Sequence, residues 1–151
     1  MGYWEAYYHL VWATKGREPI IDHVGERVIE GSFRRTCREA DVIVRELGIM
    51  PDHVHLALSI PPRWSVSELV KELKVSATHM VRRTPELPYA QSFAWQHEFG
   101  MFTFGRASQE RIIDYVRNQR EHHAKQTLNP PLRADHRARL SSIKLCKSVL
   151  E

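Results

Sequence analysis

One stretch, Met50-Pro51-Asp52-His53-Val54-His55-Leu56-Ala57-Leu58-Ser59-Ile60-Pro61-Pro62, constrains the fold more than any other part of the chain. Its middle reads as a strand from His53 to Ile60. Pro61-Pro62 stops that strand, because proline cannot extend a ladder. On a strand, His53 and His55 point to the same face of the sheet. Their Cβ atoms lie roughly 7 Å apart, two strand rises, close enough for both rings to lean onto one metal ion. Val54 points the other way, into a core. The same two histidines can also be plain surface residues, so the pair alone does not establish a metal site.

The neighbouring segments supply the rest of an architecture. Tyr7 to Thr14 is aromatic and β-branched and reads as a first strand, ended by the turn Lys15-Gly16-Arg17-Glu18-Pro19. A helix follows, capped by Asp22, with Val24, Val28, Ile29, Phe33 and Cys37 at helical spacing. Val42 to Leu47 reads as the second strand. Ser65-Val66-Ser67-Glu68 is a capping box opening a second helix, with Val66, Leu69, Val70, Leu73, Ala77, Met80 and Val81 as its buried stripe. Phe93 to Phe104, interrupted by Gly100, reads as a fourth strand with a bend or bulge. Ser108 caps a third helix from about Gln109 to Ala124. The expected fold is α+β: a ferredoxin-like, RRM-like βαββαβ sandwich with an extra C-terminal helix. Helices cover one sheet face and leave the other for ligands. That architecture says nothing about chemistry by itself.

At 151 residues the chain is most simply one domain, residues 1–125, followed by a basic tail, 126–151, that is helical or partly disordered. A net charge of +4 and a pI near 9.3 favour a polyanionic partner without naming one. Cys37 and Cys146 share no short spacing, which fits reduced thiols and a cytoplasmic setting. No signal peptide is visible, and no apolar run approaches the ~20 residues a bilayer span requires.

The second dense segment is Arg111-Ile112-Ile113-Asp114-Tyr115-Val116-Arg117-Asn118-Gln119-Arg120-Glu121-His122-His123. Ile112, Ile113 and Val116 make the apolar side of the third helix. Tyr115 and Gln119, four apart, stand one turn above the other, and His122 continues the line. Glutamine offers a neutral carbonyl oxygen able to complete a metal site begun by two histidines. A lone helical tyrosine is more often an amphipathic rim residue, and His122 and His123 suit the helix C-terminus through its dipole. Trp95 is most simply a core anchor, and His9 a core histidine or one that supports a ligand from behind, not a ligand itself.

Taken together, Tyr8-His9-Leu10-Val11-Trp12-Ala13-Thr14-Lys15, Pro51-Asp52-His53-Val54-His55, Trp95-Gln96 and the Tyr115–His123 segment resemble the HUH single-tyrosine transposases of single-strand insertion sequences and their REP-associated relatives. The resemblance spans roughly residues 3 to 124. It implies His53 and His55 as metal ligands, Gln119 as the third ligand and Tyr115 as the nucleophile. It further implies a divalent metal, Mg²⁺ or Mn²⁺, and cleavage of single-stranded DNA beside hairpins. The product would be a 5′-phosphotyrosine with a free 3′-hydroxyl. A homodimer is also implied, in which one subunit's tyrosine helix can complete its partner's site. An element's own transposase and a domesticated copy that processes REP hairpins both remain open.

Lys15 and Arg17 in the first turn, with Lys71, Lys74 and Arg82 on one helix face, are candidate DNA contacts; the helical row is equally well a solvated face. The competing function is a non-catalytic nucleic-acid binder on a ferredoxin-like sheet. It expects the string Arg/Lys-Gly-Phe/Tyr-Gly-Phe-Val-x-Phe/Tyr, which is absent, and it leaves His53 and His55 unexplained. A histidine-triad hydrolase needs a third alternating histidine where Ala57 stands.

Overall fold

Seven regular elements run in the expected order, in a computed structural model that describes residues 2–119. They are β1 (Tyr7–Ala13), α1 (His23–Glu39), β2 (Ile43–Ile49), β3 (His53–Ser59), α2 (Val66–Arg82), β4 (Gly100–Phe104) and α3 (Gln109–Arg117). Short 3-10 turns, Lys15–Arg17 and Arg106–Ser108, precede α1 and α3. The strands form one antiparallel sheet in the order β2-β3-β1-β4. This is the split βαβ arrangement, with β3 inserted beside β1 after the first helix has crossed over. The basic tail, His122, His123 and Cys146 lie outside the described residues.

Strand alternation sorts the side chains between two layers. Leu10, Trp12, Val54, Leu56 and Leu58 point toward α1 and α2 and join one cluster with Ile29, Phe33, Leu69 and Leu73. These side chains are shielded from water, and burying one the size of Phe33 stabilises the fold by about 1.5–3 kcal/mol. The opposite face carries His9, Val11, His53 and His55, and α3 packs over its β2–β3 side. The second face is therefore not left open as the sequence implied. His53 and His55 are each only 2% exposed.

Two of the three expected caps form. Asp22 accepts the Gly25 N–H at 2.8 Å, and Ser65 accepts the Glu68 N–H at 3.2 Å while its hydroxyl donates to the Glu68 carboxylate at 2.6 Å. Ser108 does not cap α3 through its side chain; its hydroxyl accepts from Arg111 instead. Val24, expected in the core, is 38% exposed, because in the first turn of α1 it is Gly25 that faces inward, against Tyr89.

The fourth strand is shorter than its aromatic run. Residues 93 to 99 form an irregular segment that touches the sheet through one bridge, Thr14 to Trp95. Phe93 and Trp95 turn inward, edge to face at 4.9 Å. The Lys74 ammonium then donates to three successive carbonyls, those of Gln96, His97 and Glu98, at 2.9–3.0 Å. Those carbonyls are satisfied by a side chain and not by a strand, which is why pairing resumes only at Gly100.

Candidate active site

The site begins where β3 leaves its turn. The Asp52 carboxylate lies 2.6 Å from His53 Nδ1. A carboxylate accepts, so Nδ1 carries the proton of this bond, and in the neutral ring the lone pair is on Nε2. The same carboxylate pairs with Arg17 at 3.5 Å. Its pKa is held below the ordinary aspartate value, chiefly by the His53 hydrogen bond. Arg17 reaches it from a left-handed backbone, with φ +53° after Gly16 at +66°, a conformation uncommon in residues other than glycine. Thr14 fastens the turn from the other side, its N–H donating to the Asp52 carbonyl at 2.9 Å.

The second histidine has a different partner. His9 of β1 stands diagonally across from His55 of β3, with Ala57 directly opposite it. The small Ala57 side chain lets the imidazole tilt, and His9 Nε2 lies 2.9 Å from His55 Nδ1 with the rings stacked. His9 is 3% exposed, and burial lowers its pKa to about 4. The His53 and His55 rings meet edge to face, centroids 5.0 Å apart.

Tyr115 arrives from α3. Its ring stands edge-on to His55 at 6.0 Å and to His9 at 5.8 Å. Gly48 makes this approach possible. It pairs with His55 across the β2–β3 ladder, and a Cβ placed there would lie 2.7 Å from the Val116 carbonyl oxygen. Any side chain at this position would push α3 off the sheet. Arg117 ties the helix down further, bonding to Glu46 of β2 at 3.0 Å. Gln119, 2% exposed, follows the turn at Asn118 and donates its amide N–H to the Tyr115 carbonyl at 3.0 Å, leaving Oε1 as its lone-pair atom.

The fold thus brings Tyr115 onto His9 and His55 of its own chain. Three of the five suggested DNA contacts lie elsewhere. Lys71, Lys74 and Arg82 are on α2, in the helix layer behind the sheet. Lys74 is the clamp on Gln96–Glu98, and Arg82 donates to the Phe93 carbonyl at 3.2 Å. Lys71 is exposed on the rim of a groove of about 740 Å³ between α2 and residues 94–99. Only the turn residues are near the site: Arg17 through Asp52, and Lys15 exposed beside it. Among the described residues, no three His, Cys, Asp or Glu side chains converge as a metal cage. Asp52 and Gly48 were not singled out from the sequence, and Arg17 only as a DNA contact. A glycine inside a strand flanked by apolar residues was a readable sign of close backbone approach.

Known proteins resemble this chain in sequence and fold. The family profile described as IS200-like transposase matches residues 2–119. The transposase for insertion sequence element IS200 of Salmonella typhimurium is 28% identical over 121 residues, covering 78% of this chain and 79% of that one. The ISDra2 transposase TnpA of Deinococcus radiodurans is 29% identical over 119 residues, covering 76% and 84%. A transposase crystal structure from Deinococcus radiodurans superposes with a TM-score of 0.62 at 28% identity, over 79% of this chain and 95% of that one. A REP-associated tyrosine transposase bound to a REP hairpin shares the fold, with a TM-score of 0.62 at 15% identity over 82% and 72%. With the profile spanning the whole sheet and the tyrosine helix, the chain belongs to the IS200-like transposases, enzymes that cut and rejoin single-stranded DNA through a tyrosine.

Proposed function

We propose that this chain cleaves single-stranded DNA at hairpin-flanked ends with Tyr115 as its nucleophile, assisted by a divalent cation held by His53, His55 and Gln119. The observation that carries the reading is the edge-on approach of the Tyr115 ring to His55, on the sheet face that also holds His53. The phenol oxygen, giving its proton to water, attacks phosphorus in line; the P–O3′ bond breaks and O3′ takes a proton from water to leave as a free 3′-hydroxyl. The 5′-phosphate stays on Tyr115 as an ester that a later 3′-hydroxyl can attack to rejoin strands. Burial of both imidazoles keeps water, which would hydrolyse that ester, away from one side of the site. Family membership removes the non-catalytic alternative.

The donor set fits a cation. Asp52 leaves His53 with its lone pair on Nε2, and His55 has Nδ1 against His9, so Nε2 is the nitrogen each ring can offer. Gln119 adds a neutral carbonyl oxygen. When bound, Mg²⁺ or Mn²⁺ would withdraw charge from a non-bridging phosphate oxygen and offset the weak nucleophilicity of a phenol with pKa about 10. Three neutral donors hold a hard cation weakly, and the substrate phosphate supplies the missing charge. Metal affinity is therefore expected to rise on DNA binding. Equal affinities with and without a hairpin oligonucleotide, by calorimetry, would count against it.

The direct test incubates the protein with a labelled single-stranded hairpin oligonucleotide and Mg²⁺ or Mn²⁺, then resolves the mixture on a denaturing gel. A shifted protein–DNA band that a chelator abolishes supports the reading, and free cleaved DNA without an adduct contradicts it. We place the enzyme in the cytoplasm, where Cys37 stays reduced, and expect it to act as a homodimer, checked by light scattering. Among the described residues no helix is long and apolar enough to cross a membrane.

The docking of α3 yields its own expectation. Gly48→Ala sets a methyl against the Val116 carbonyl and displaces Tyr115 by a fraction of an ångström or more. Adduct formation should fall by roughly tenfold to a hundredfold, with oligonucleotide binding retained. An unchanged rate would mean that α3 does not react from this position.

A further inference from the structure

We propose that His9 is a positioning residue for the ligand pair: its ring accepts a hydrogen bond from His55 Nδ1 and so keeps the His55 lone pair on Nε2. The proposal deepens the reading above and rests on His53 and His55 being ligands.

The argument is one of exclusion around a single contact. His55 Nδ1 lies 2.9 Å from His9 Nε2, both rings buried. No cation fits between two nitrogens that close, so His55 can bind one only through Nε2. That requires its proton on Nδ1, which must then point at His9. His9 Nε2 therefore accepts, and the single proton of the neutral His9 ring sits on Nδ1. With the opposite tautomers the same 2.9 Å contact forms, but the His55 Nε2 carries hydrogen and cannot ligate. The two arrangements look alike in heavy atoms and differ wholly in function.

The surroundings restrain His9 in this pose. Its ring packs against Phe102 of β4 at 5.8 Å and against the edge of Tyr115 at 5.8 Å. Ala57 opposite leaves the space into which it tilts. His53 has the same orientation set by a carboxylate. The two ligands are thus locked by unlike partners, one charged and one neutral. A second carboxylate in place of His9 would put another negative charge into a buried face. One residue on β1 thus touches both His55 and Tyr115.

The test compares wild type with His9→Phe and His9→Gln. Phenylalanine fills the space without an acceptor, and glutamine returns an acceptor near the Nε2 position. Nitrogen-15 NMR of histidine-labelled, metal-free protein reads the His55 tautomer, and Mn²⁺ titration followed by electron paramagnetic resonance reads affinity. The wild type should show His55 protonated at Nδ1. His9→Phe should lose that bias and bind Mn²⁺ roughly 10- to 100-fold more weakly, and His9→Gln should recover most of both. An unchanged tautomer and affinity in His9→Phe would overturn the proposal, as would a glutamine variant no better than phenylalanine, which would reduce His9 to packing. If His53→Ala leaves wild-type Mn²⁺ binding intact, the ligand reading itself falls, and the proposal with it; the tautomer spectra distinguish this from a failure at His9 alone.

Discussion

Tyr115→Phe is expected to bind a hairpin oligonucleotide as well as wild type does and to form no covalent adduct, with cleavage down by on the order of 10⁴-fold or more. The substitution removes one oxygen and keeps the ring that packs against His9 and His55. Affinity and fold should therefore survive while chemistry does not. Denaturing gels measure the adduct, and fluorescence anisotropy measures binding. Another tyrosine taking over is disfavoured. Tyr89 sits in the helix layer, its hydroxyl is committed to Asp22 at 3.0 Å, and burial pushes its pKa up to about 12. Tyr7 is buried and donates to Glu5. An adduct that persisted in Tyr115→Phe would move the nucleophile and overturn the proposed mechanism.

His53→Ala is expected to lower metal-stimulated cleavage by on the order of 10²–10³, the cost of removing one preorganised group that stabilises developing charge. The ring is buried, so the substitution also leaves a small cavity and strands the Asp52 carboxylate beside Arg17. Some loss of stability accompanies the loss of rate. Excess Mn²⁺ is the control: partial rescue at high concentration marks a lost ligand, whereas a folding defect does not respond to the ion. A variant that cleaves at the wild-type rate with the wild-type metal dependence would remove His53 from the site.

Much of this was readable before any coordinates. The strand from His53, the caps at Asp22 and Ser65, and the stripe on α2 follow from local rules that tertiary structure did not override. What failed depended on neighbours distant in sequence. Aromatic composition implied a long fourth strand, but Phe93 and Trp95 fill the core beside Trp12 and Phe33, and Lys74 satisfies the carbonyls that follow. Lysine 74 and Arg82 looked like a basic row because sequence periodicity gives a helix face without saying what lies above it; here it is the 93–98 backbone. The contact between His9 and His55 spans 46 positions and needs strand register to be seen.

Among the described residues the helix that carries the tyrosine runs for nine, of which Val116 alone is fully buried. A stretch that short has little intrinsic stability in water. Its order must come from the sheet beneath it, through Gly48, Glu46 and the two histidine rings. With Tyr115 as the proposed nucleophile, reactivity is conditional on attachment: a detached segment would frustrate its own phenol, because the alignment that would make it dangerous to DNA exists only while it is seated. Hydrogen exchange should find this segment among the first to open, a safeguard written into a deficit of contacts.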